Sequence, residues 1–525
     1  MLPHRTQVID INGELIGEFI SDARFLIRAH LGLIILGLMY FGLVSHVVKN
    51  RYFHPLSKFP GPFWGSITNL YCSLMILTGE SQKMEFDFHK KYGPVVRIAP
   101  NLLLVSDPRM LPVIYQRKAD KTDFYITGTL GKGAESVFNT RAHHDHYRLR
   151  KRLAGAYHLK ATKGMETLVG ERISEWTAKL GRTFADTGHI LDLAMWSQYL
   201  AYDVITELGF GEAMGFVRQG EDVGGLIKCF HYALPAIGSL ARLPILTKMI
   251  VGWDWVTAKP TDNHGLGPVM AFRDRCIEQR QAAAGSNSRQ DLLQNLFDQR
   301  TADGQPAMSV DQIKAETLIV LLAGSDTPAS AFRACVLYTL TTPGVYEKLM
   351  EEINTAVDQN ALSSPVVTFD EAKKLRYFSA CLREAMRLSP SAPVLLPRLV
   401  PHGGVMLCGQ FVPEGAEVAA NPWVIHRSKE LYGEDAEEYR PERWLESEEK
   451  TKEMDKYDFQ FGYGDRSCLG KSIALMELYK GLVQFFRLFS PELVNPKRPC
   501  VYRNMGVAVH TDFWVRVKNR GIDST

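Results

Sequence analysis

Apolar positions along this chain fall into runs of different period, and each period predicts a different element. Residues 1–24 are polar and mildly acidic, with Asp10, Glu14, Glu18 and Asp22. From Leu31 to Val48 runs an apolar stretch of 18 residues, extendable back to Phe25 with Arg28 and His30 at an interface. At about 1.5 Å per residue it spans a hydrocarbon core. Lys49, Arg51, His54 and Lys58 follow, which places the body in the cytosol and the N-terminus in the lumen. A cleaved signal peptide is the competing reading, but the run is long for one and lacks a small-x-small site. The segment His54 to Pro62 holds three prolines, cannot be helix, and reads as a stiff connector. Val95–Ile98 and Leu102–Val105 read as short strands about Ala99-Pro100-Asn101. Helical patterns dominate the rest: two within 161–210, one from Lys471 to Phe489, and the longest from Asp311 to about Leu340. That last one is apolar almost all round from Leu318 to Ala323, as befits a helix crossing the centre. The segment Leu234 to Trp253 is apolar but broken by Pro235, Arg242, Pro244 and Lys248. It suits a surface element dipping into a membrane, or core packing, better than a second span.

These patterns predict a mainly α protein with a small β region. Its parts are a lumenal segment 1–24, a transmembrane helix 25–48, a Pro-rich hinge 49–62 and one large domain 63–525. Length alone suggests about three domains, but no linker or repeat divides the 525 residues. A net charge of +3 with interleaved signs gives no sign of nucleic-acid binding. Eight scattered cysteines, without paired spacing, fit a reducing compartment.

Candidate chemistry gathers at Phe461-Gly462-Tyr463-Gly464-Asp465-Arg466-Ser467-Cys468-Leu469-Gly470. The glycines let a loop press against a flat ligand, and Cys468 stands before a helix N-terminus, which favours a thiolate. A thiolate of this kind is suited to ligating haem iron; a buried structural cysteine is the alternative. Gly464 to Ser472 has one residue too many for a phosphate-binding loop. In His143-His144-Asp145-His146 no further ligand completes a metal set, whereas His146 and Arg150 lie one turn apart and can reach one anion. Ala323-Gly324-Ser325-Asp326-Thr327-Pro328 interrupts the long helix. Pro328 has no amide for the Gly324 carbonyl, and Thr327 can offer its hydroxyl to Ala323, leaving a polar notch. A Pro kink without chemistry would read the same way.

The spacing of Phe461, Gly464, Arg466, Cys468 and Gly470 resembles the cysteine-ligand signature of the cytochromes P-450, the haem-thiolate monooxygenases. Four further segments resemble that family in the same order. The resemblance implies haem b with Cys468 as the axial iron ligand. It implies haem contacts from His146, Arg150, Arg398, Arg466, Phe461 and Gly470, the first three at its propionates. Gly324 would make room for O2, and Asp326 and Thr327 would relay protons to it. Glu384, Arg387 and Arg443 are similar to the family's structural triad, with Trp444 where Phe is common. Val394 to Leu396, Val507 to Val509 and the aromatics of 122–140 are pocket candidates. Electrons would come from NADPH through a flavoprotein reductase, for which Arg148, Lys151 and Arg152 offer a docking face or a merely solvated one. The hinge resembles that of fungal members at the endoplasmic reticulum membrane, whose apolar substrates include terpenoids, polyketides and alkaloids. Two rivals are a haem-thiolate isomerase or dehydratase working without O2, and a non-catalytic haem sensor. The presence of both Asp326 and Thr327 speaks against each.

Overall fold

The computed structural model describes residues 11–128, 134–251, 253, 259–263, 266–283, 291–301 and 303–521. It forms two units, residues 1–58 and 59–525. In the first, a helix Ile11–Val48 continues as a wider π-helical turn Lys49–Phe53. The helix therefore takes in residues 11–24, which the polar pattern set apart from the apolar run. Among the described residues one span, His30–Phe53, is long and apolar enough to cross a membrane, and its most apolar 18 residues, with mean hydropathy 2.2, are none of them buried.

In the second unit the chain from Phe59 is held against a strand rather than left as a free connector. The Arg97 amide donates to the Pro60 carbonyl at 2.8 Å. A Cβ on Gly61 would lie 2.1 Å from the Arg97 carbonyl oxygen, so only glycine allows this approach. The strand belongs to a four-stranded sheet in the order Val95–Ala99, Leu102–Val105, Glu417–Ala419, Arg398–Leu399. The two predicted strands pair antiparallel, Val95 opposite Val105, with a bulge between Arg97 and Ala99. An isolated bridge ties Lys121 to Arg398 at the sheet's edge. That bridge matters for the site.

The longest helix of the second unit, Val310–Thr341, carries Pro328 inside it without interruption. It packs against Leu193–Phe210, whose residues are nearly all buried. Trp176, Phe332 and Phe485 meet ring to ring in the core between Glu166–Leu180, the central helix and the helix Lys471–Leu488. The broken apolar segment divides into helices Leu226–Leu240 and Pro244–Val251. Leu234 is buried and so is core, contrary to the membrane reading, while Ile245, Leu246, Met249 and Trp253 are exposed. Periodicity alone cannot tell which apolar face a neighbouring helix covers.

Candidate active site

The loop before the helix Lys471–Leu488 turns at Gly462 and Gly464, with φ of 73° and 68°. A Cβ on Gly464 would also lie 2.6 Å from the Tyr115 carbonyl oxygen, so glycine is required there twice over. The Cys468 amide closes the turn on the Phe461 carbonyl at 2.7 Å. Cys468 is exposed, but what it is exposed to is a cavity that its own loop helps to wall. Protein crowds the sulfur on all other sides, and this burial pushes the thiol up; the Gly470 amide, Arg150 and Lys471 pull the other way. The neighbouring donors favour a thiolate and burial opposes it, so they do not settle its charge. A coordinated metal ion would, because metal ligation deprotonates a thiol outright.

The cavity holds about 960 Å³ of empty space, its mouth included, of which the centre of a water molecule can explore about 210 Å³. One end is cationic. His146 and Arg150, one turn apart on the helix His143–Leu153, line it together with Arg466 and Lys121. Their hydrogen bonds go to neutral acceptors. Arg150 donates to the Ser467 carbonyl at 2.7 Å, Arg466 to the Thr140 and Arg141 carbonyls at 3.0 and 2.7 Å, and Lys121 to the Phe138 carbonyl at 2.5 Å. Among the described residues no carboxylate pairs with any of the three. Burial and their mutual repulsion hold His146 down to about 3, Arg466 down to about 10 and Lys121 well below its ordinary value. Buried cations without an acid need an anionic ligand. A cysteine sulfur at the floor and cations at one end fit haem with its two propionates. Lys121 has no motif around it and was not among the expected site residues; the bridge to Arg398 brings it here. Arg398 itself does not line the cavity. Its guanidinium donates to the Tyr125 hydroxyl at 2.6 Å, behind Lys121. Phe461 likewise acts from behind, through its carbonyl.

The opposite wall is one face of the central helix, with Ile319, Val320, Ala323, Gly324 and Thr327 towards the cavity. The Thr327 hydroxyl donates to the Ala323 carbonyl at 2.7 Å, as expected where Pro328 frees the helix ladder. A Cβ on Gly324 would come within 2.7 Å of Ile205, so this glycine lets two helices approach, a role beyond making room for a gas. Asp326 points away from the cavity and is fully buried. Its Oδ1 accepts from Gln198 and meets His231 Nε2 at 3.0 Å, while Oδ2 has no hydrogen-bond partner among the described residues. His231 is partly exposed, so it links Asp326 to the surface. Of the loop 122–140, Val137 and Phe138 reach the cavity, and residues 129–133 lie outside the described residues. Val394 to Leu396 and Val507 to Val509 do not line it. Glu477 lines the same cavity as Cys468, and burial pushes its carboxyl up to about 8.

Behind the cysteine loop, Glu384 chelates Arg387 at 2.8 and 2.8 Å and accepts from Arg443 at 2.8 Å. Trp444, the departure from the usual Phe, adds its indole N–H at 2.9 Å.

Comparison with known proteins gives one consistent result. The family described as Cytochrome P450 matches residues 55–512. Quiannulatic acid synthase of Emericella variicolor is 33% identical over 83% of this chain and 87% of its own length. The cytochrome P450 monooxygenase aba1 of Botryotinia fuckeliana is 31% identical over 88% of this chain and 92% of its own. The cytochrome P450 monooxygenase gsfF of Penicillium aethiopicum is 30% identical over 91% and 97%.

Proposed function

The chain belongs to the cytochrome P450 family and is an oxidoreductase of the monooxygenase class, and from that premise we propose how its residues serve the reaction. The carrying observation is the thiol of Cys468 on the wall of a cavity whose cations form no ion pair among the described residues. Haem, when bound, supplies the activation of O2 that lets one oxygen atom enter a C–H bond. Cys468 would ligate its iron. Lys121, Arg150, Arg466 and His146 would hold its propionates, with Arg398 steadying Lys121 from behind. Ile319, Val320 and Ala323 would pack an apolar substrate and exclude water. Protons would enter at His231, pass to Asp326, and reach the cavity at Thr327 Oγ1, the only one of the three on its wall.

The relatives' names support an apolar small molecule of fungal secondary metabolism as substrate. Electrons would come from NADPH through a flavoprotein reductase, with the exposed Arg148, Lys151 and Arg152 as a docking face. The span His30–Phe53, with Lys49, Arg51 and Lys58 at its end, supports a single-pass anchor in the endoplasmic reticulum with the catalytic domain in the cytosol. A second membrane contact would be the exposed face of Phe63, Trp64, Leu74, Ile245 and Met249. The helix that carries Leu74 is tied to the helix Leu226–Leu240, which precedes Ile245 and Met249, where Ser73 Oγ meets Ser239 Oγ at 2.6 Å. The test of the whole reading is the carbon-monoxide spectrum of the reduced protein. The wild type should show the red-shifted band of a thiolate-ligated haem, and Cys468→Ala should lose it entirely. A band that survives in the variant would remove Cys468 from the iron.

A further inference from the structure

The central helix turns one residue towards the cavity that its apolar neighbours do not explain. Glu316 is 1% exposed, yet it lines the cavity on the same helix face as Ile319, Val320, Ala323 and Thr327. Its Oε1 accepts from the Val137 amide at 2.8 Å and from Gln312 Nε2 at 3.0 Å. No hydrogen bond reaches Oε2 among the described residues, and that atom is not sealed within protein. One carboxylate oxygen is thus fixed and satisfied while the other opens on the chamber, where the charge of Lys121 favours the ionised carboxyl without a hydrogen bond to it. A pin for Val137 would need only the first. Burial also raises this carboxyl to about 7, the mark of a group that has given up water without gaining a full partner set.

We propose that Glu316 Oε2 receives the hydroxyl group of the substrate, which is an apolar skeleton already carrying one oxygen. The choice of a neutral hydroxyl follows from charge. An ammonium would enter a cavity walled by Lys121, Arg150 and Arg466, four cations with Arg398 behind them against two propionates. A carboxylate would meet Glu316 itself. A hydroxyl is repelled by neither and donates to Oε2. Distance sets the second half of the inference. Eight residues separate Glu316 from Gly324 along one helix, about 12 Å at the usual rise. The oxidised carbon therefore lies about 10 Å from the existing hydroxyl, across a polycyclic skeleton or a chain of similar reach. The reaction that supplies this substrate must be one that leaves a hydroxyl behind: an earlier oxygenation, or a cyclisation ended by water. The inference rests on the cavity being the haem and substrate chamber.

The experiment uses the full chain with haem in lipid nanodiscs at pH 8, and measures affinity by calorimetry for three probes. These are a tricyclic C20 hydrocarbon, its primary alcohol, and the methyl ether of that alcohol. A hydrogen bond to a charged acceptor should favour the alcohol over both others about tenfold or more. Glu316→Gln keeps a carbonyl for the Val137 amide and puts an NH2 where Oε2 was. It should cut the alcohol's advantage to about twofold and bring the ether level with it, with hydrocarbon affinity unchanged. No preference for the alcohol in the wild type, a preference undiminished in the variant, or an equal loss for all three probes would each overturn the proposal. The carbon-monoxide spectrum of the same samples separates the layers. With the thiolate band present and the alcohol preference absent, this inference alone falls; with the band absent, the reading beneath it falls as well.

Discussion

Around Glu384 every buried charge is answered from within the chain, and around Cys468 it is not. Glu384 accepts from Arg387, Arg443, the Trp444 indole and the Arg440 amide. The two arginines spend their remaining donors on the carbonyls of His426, Ala436, Glu438, Tyr432 and Asp435. At the cavity, Lys121, Arg150 and Arg466 bond to carbonyls and form no ion pair among the described residues, Glu316 uses one of its two oxygens, and Cys468 lines the chamber. Both regions hold desolvated charge. A network that closes on itself fixes a shape; one left open has room for a partner from outside the chain. Substitutions in the closed network should therefore move stability and leave chemistry intact, and those at the open wall should do the reverse.

The largest test is Glu384→Ala. It leaves Arg387, fully buried, without a carboxylate, and Arg443, 2% exposed, with Asp435 alone at 3.1 Å. Stranding buried charge costs about 3–5 kcal/mol. The unfolding midpoint should fall accordingly and the yield of haem-loaded protein with it, while the protein that does fold keeps its thiolate band. A loss under about 1 kcal/mol would mean that backbone carbonyls suffice for Arg387, and carbonyls with Asp435 for Arg443.

The second test uses pH. His426 faces the Arg387 carbonyl through Nδ1 at 3.2 Å, and its Nε2 accepts from the Phe459 amide at 3.2 Å, at the start of the cysteine loop. Burial, with Arg387 and Arg427, holds it down to about 3, against about 6.5 for an ordinary histidine. Between those values the unfolded chain carries the extra proton, so stability falls as pH drops below 6.5. The slope is up to about 1.4 kcal/mol per pH unit, giving about 2 kcal/mol from pH 7 to 5. His426→Asn should flatten the pH dependence of unfolding by about one proton. An unchanged slope would show that His426 already carries its proton in the fold.

These two regions were unequally legible in the sequence. The closed network lies in two compact patterns, Glu384 to Arg387 and Arg443-Trp444, and the helix-and-meander geometry brings them together without further help. Cys468 was legible for the same reason: its loop is ten residues long. The open wall is assembled from far apart. Lys121 reaches it through a bridge to Arg398, and Gln198 and His231 reach Asp326 from other helices, 128 and 95 residues away. No local pattern marks such residues. Glu316 was hidden differently, since one acid in a helical pattern reads as a solvated turn until the fold shows that it is buried. Leu234 was left open between membrane and core, because an apolar residue looks the same whether lipid or another helix covers it.

On the open wall, Thr327→Ala should leave the unfolding midpoint within about 0.5 kcal/mol, as expected of a site that anchors nothing. Coupling is where it should act. Loss of one positioned proton-transfer group commonly costs about a hundredfold or more, but water can enter this cavity and stand in, so about a tenfold fall in product per NADPH is expected. Hydrogen peroxide should rise to balance it. The measurement is the product-to-NADPH ratio with purified reductase. An unchanged ratio would leave the hydroxyl as a local repair of the helix at Pro328 and no more.

The smallest expected effect sits in the closed network and tests how closed it is. Trp444 is 7% exposed and gives its indole N–H to Glu384 Oε2 at 2.9 Å. Trp444→Phe restores the residue common in the family and removes that one donor. Hydrogen bonds to charged groups contribute about 1.5–3 kcal/mol when their loss strands a partner. Here Glu384 keeps both arginines and the Arg440 amide, so nothing is stranded. The Arg383 guanidinium, 4.0 Å from the Trp444 ring centre, would still find an aromatic face. The remaining terms are one redundant hydrogen bond and a modest loss of packed volume, together about 1 kcal/mol. The unfolding midpoint should drop by that amount, with the thiolate band and the coupling ratio unchanged. A loss as large as that of Glu384→Ala would mean that the arginines cannot hold the carboxylate without the indole. A loss confined to coupling would mean that the cluster reaches the cavity chemistry, and the division between closed and open regions would fail at that point.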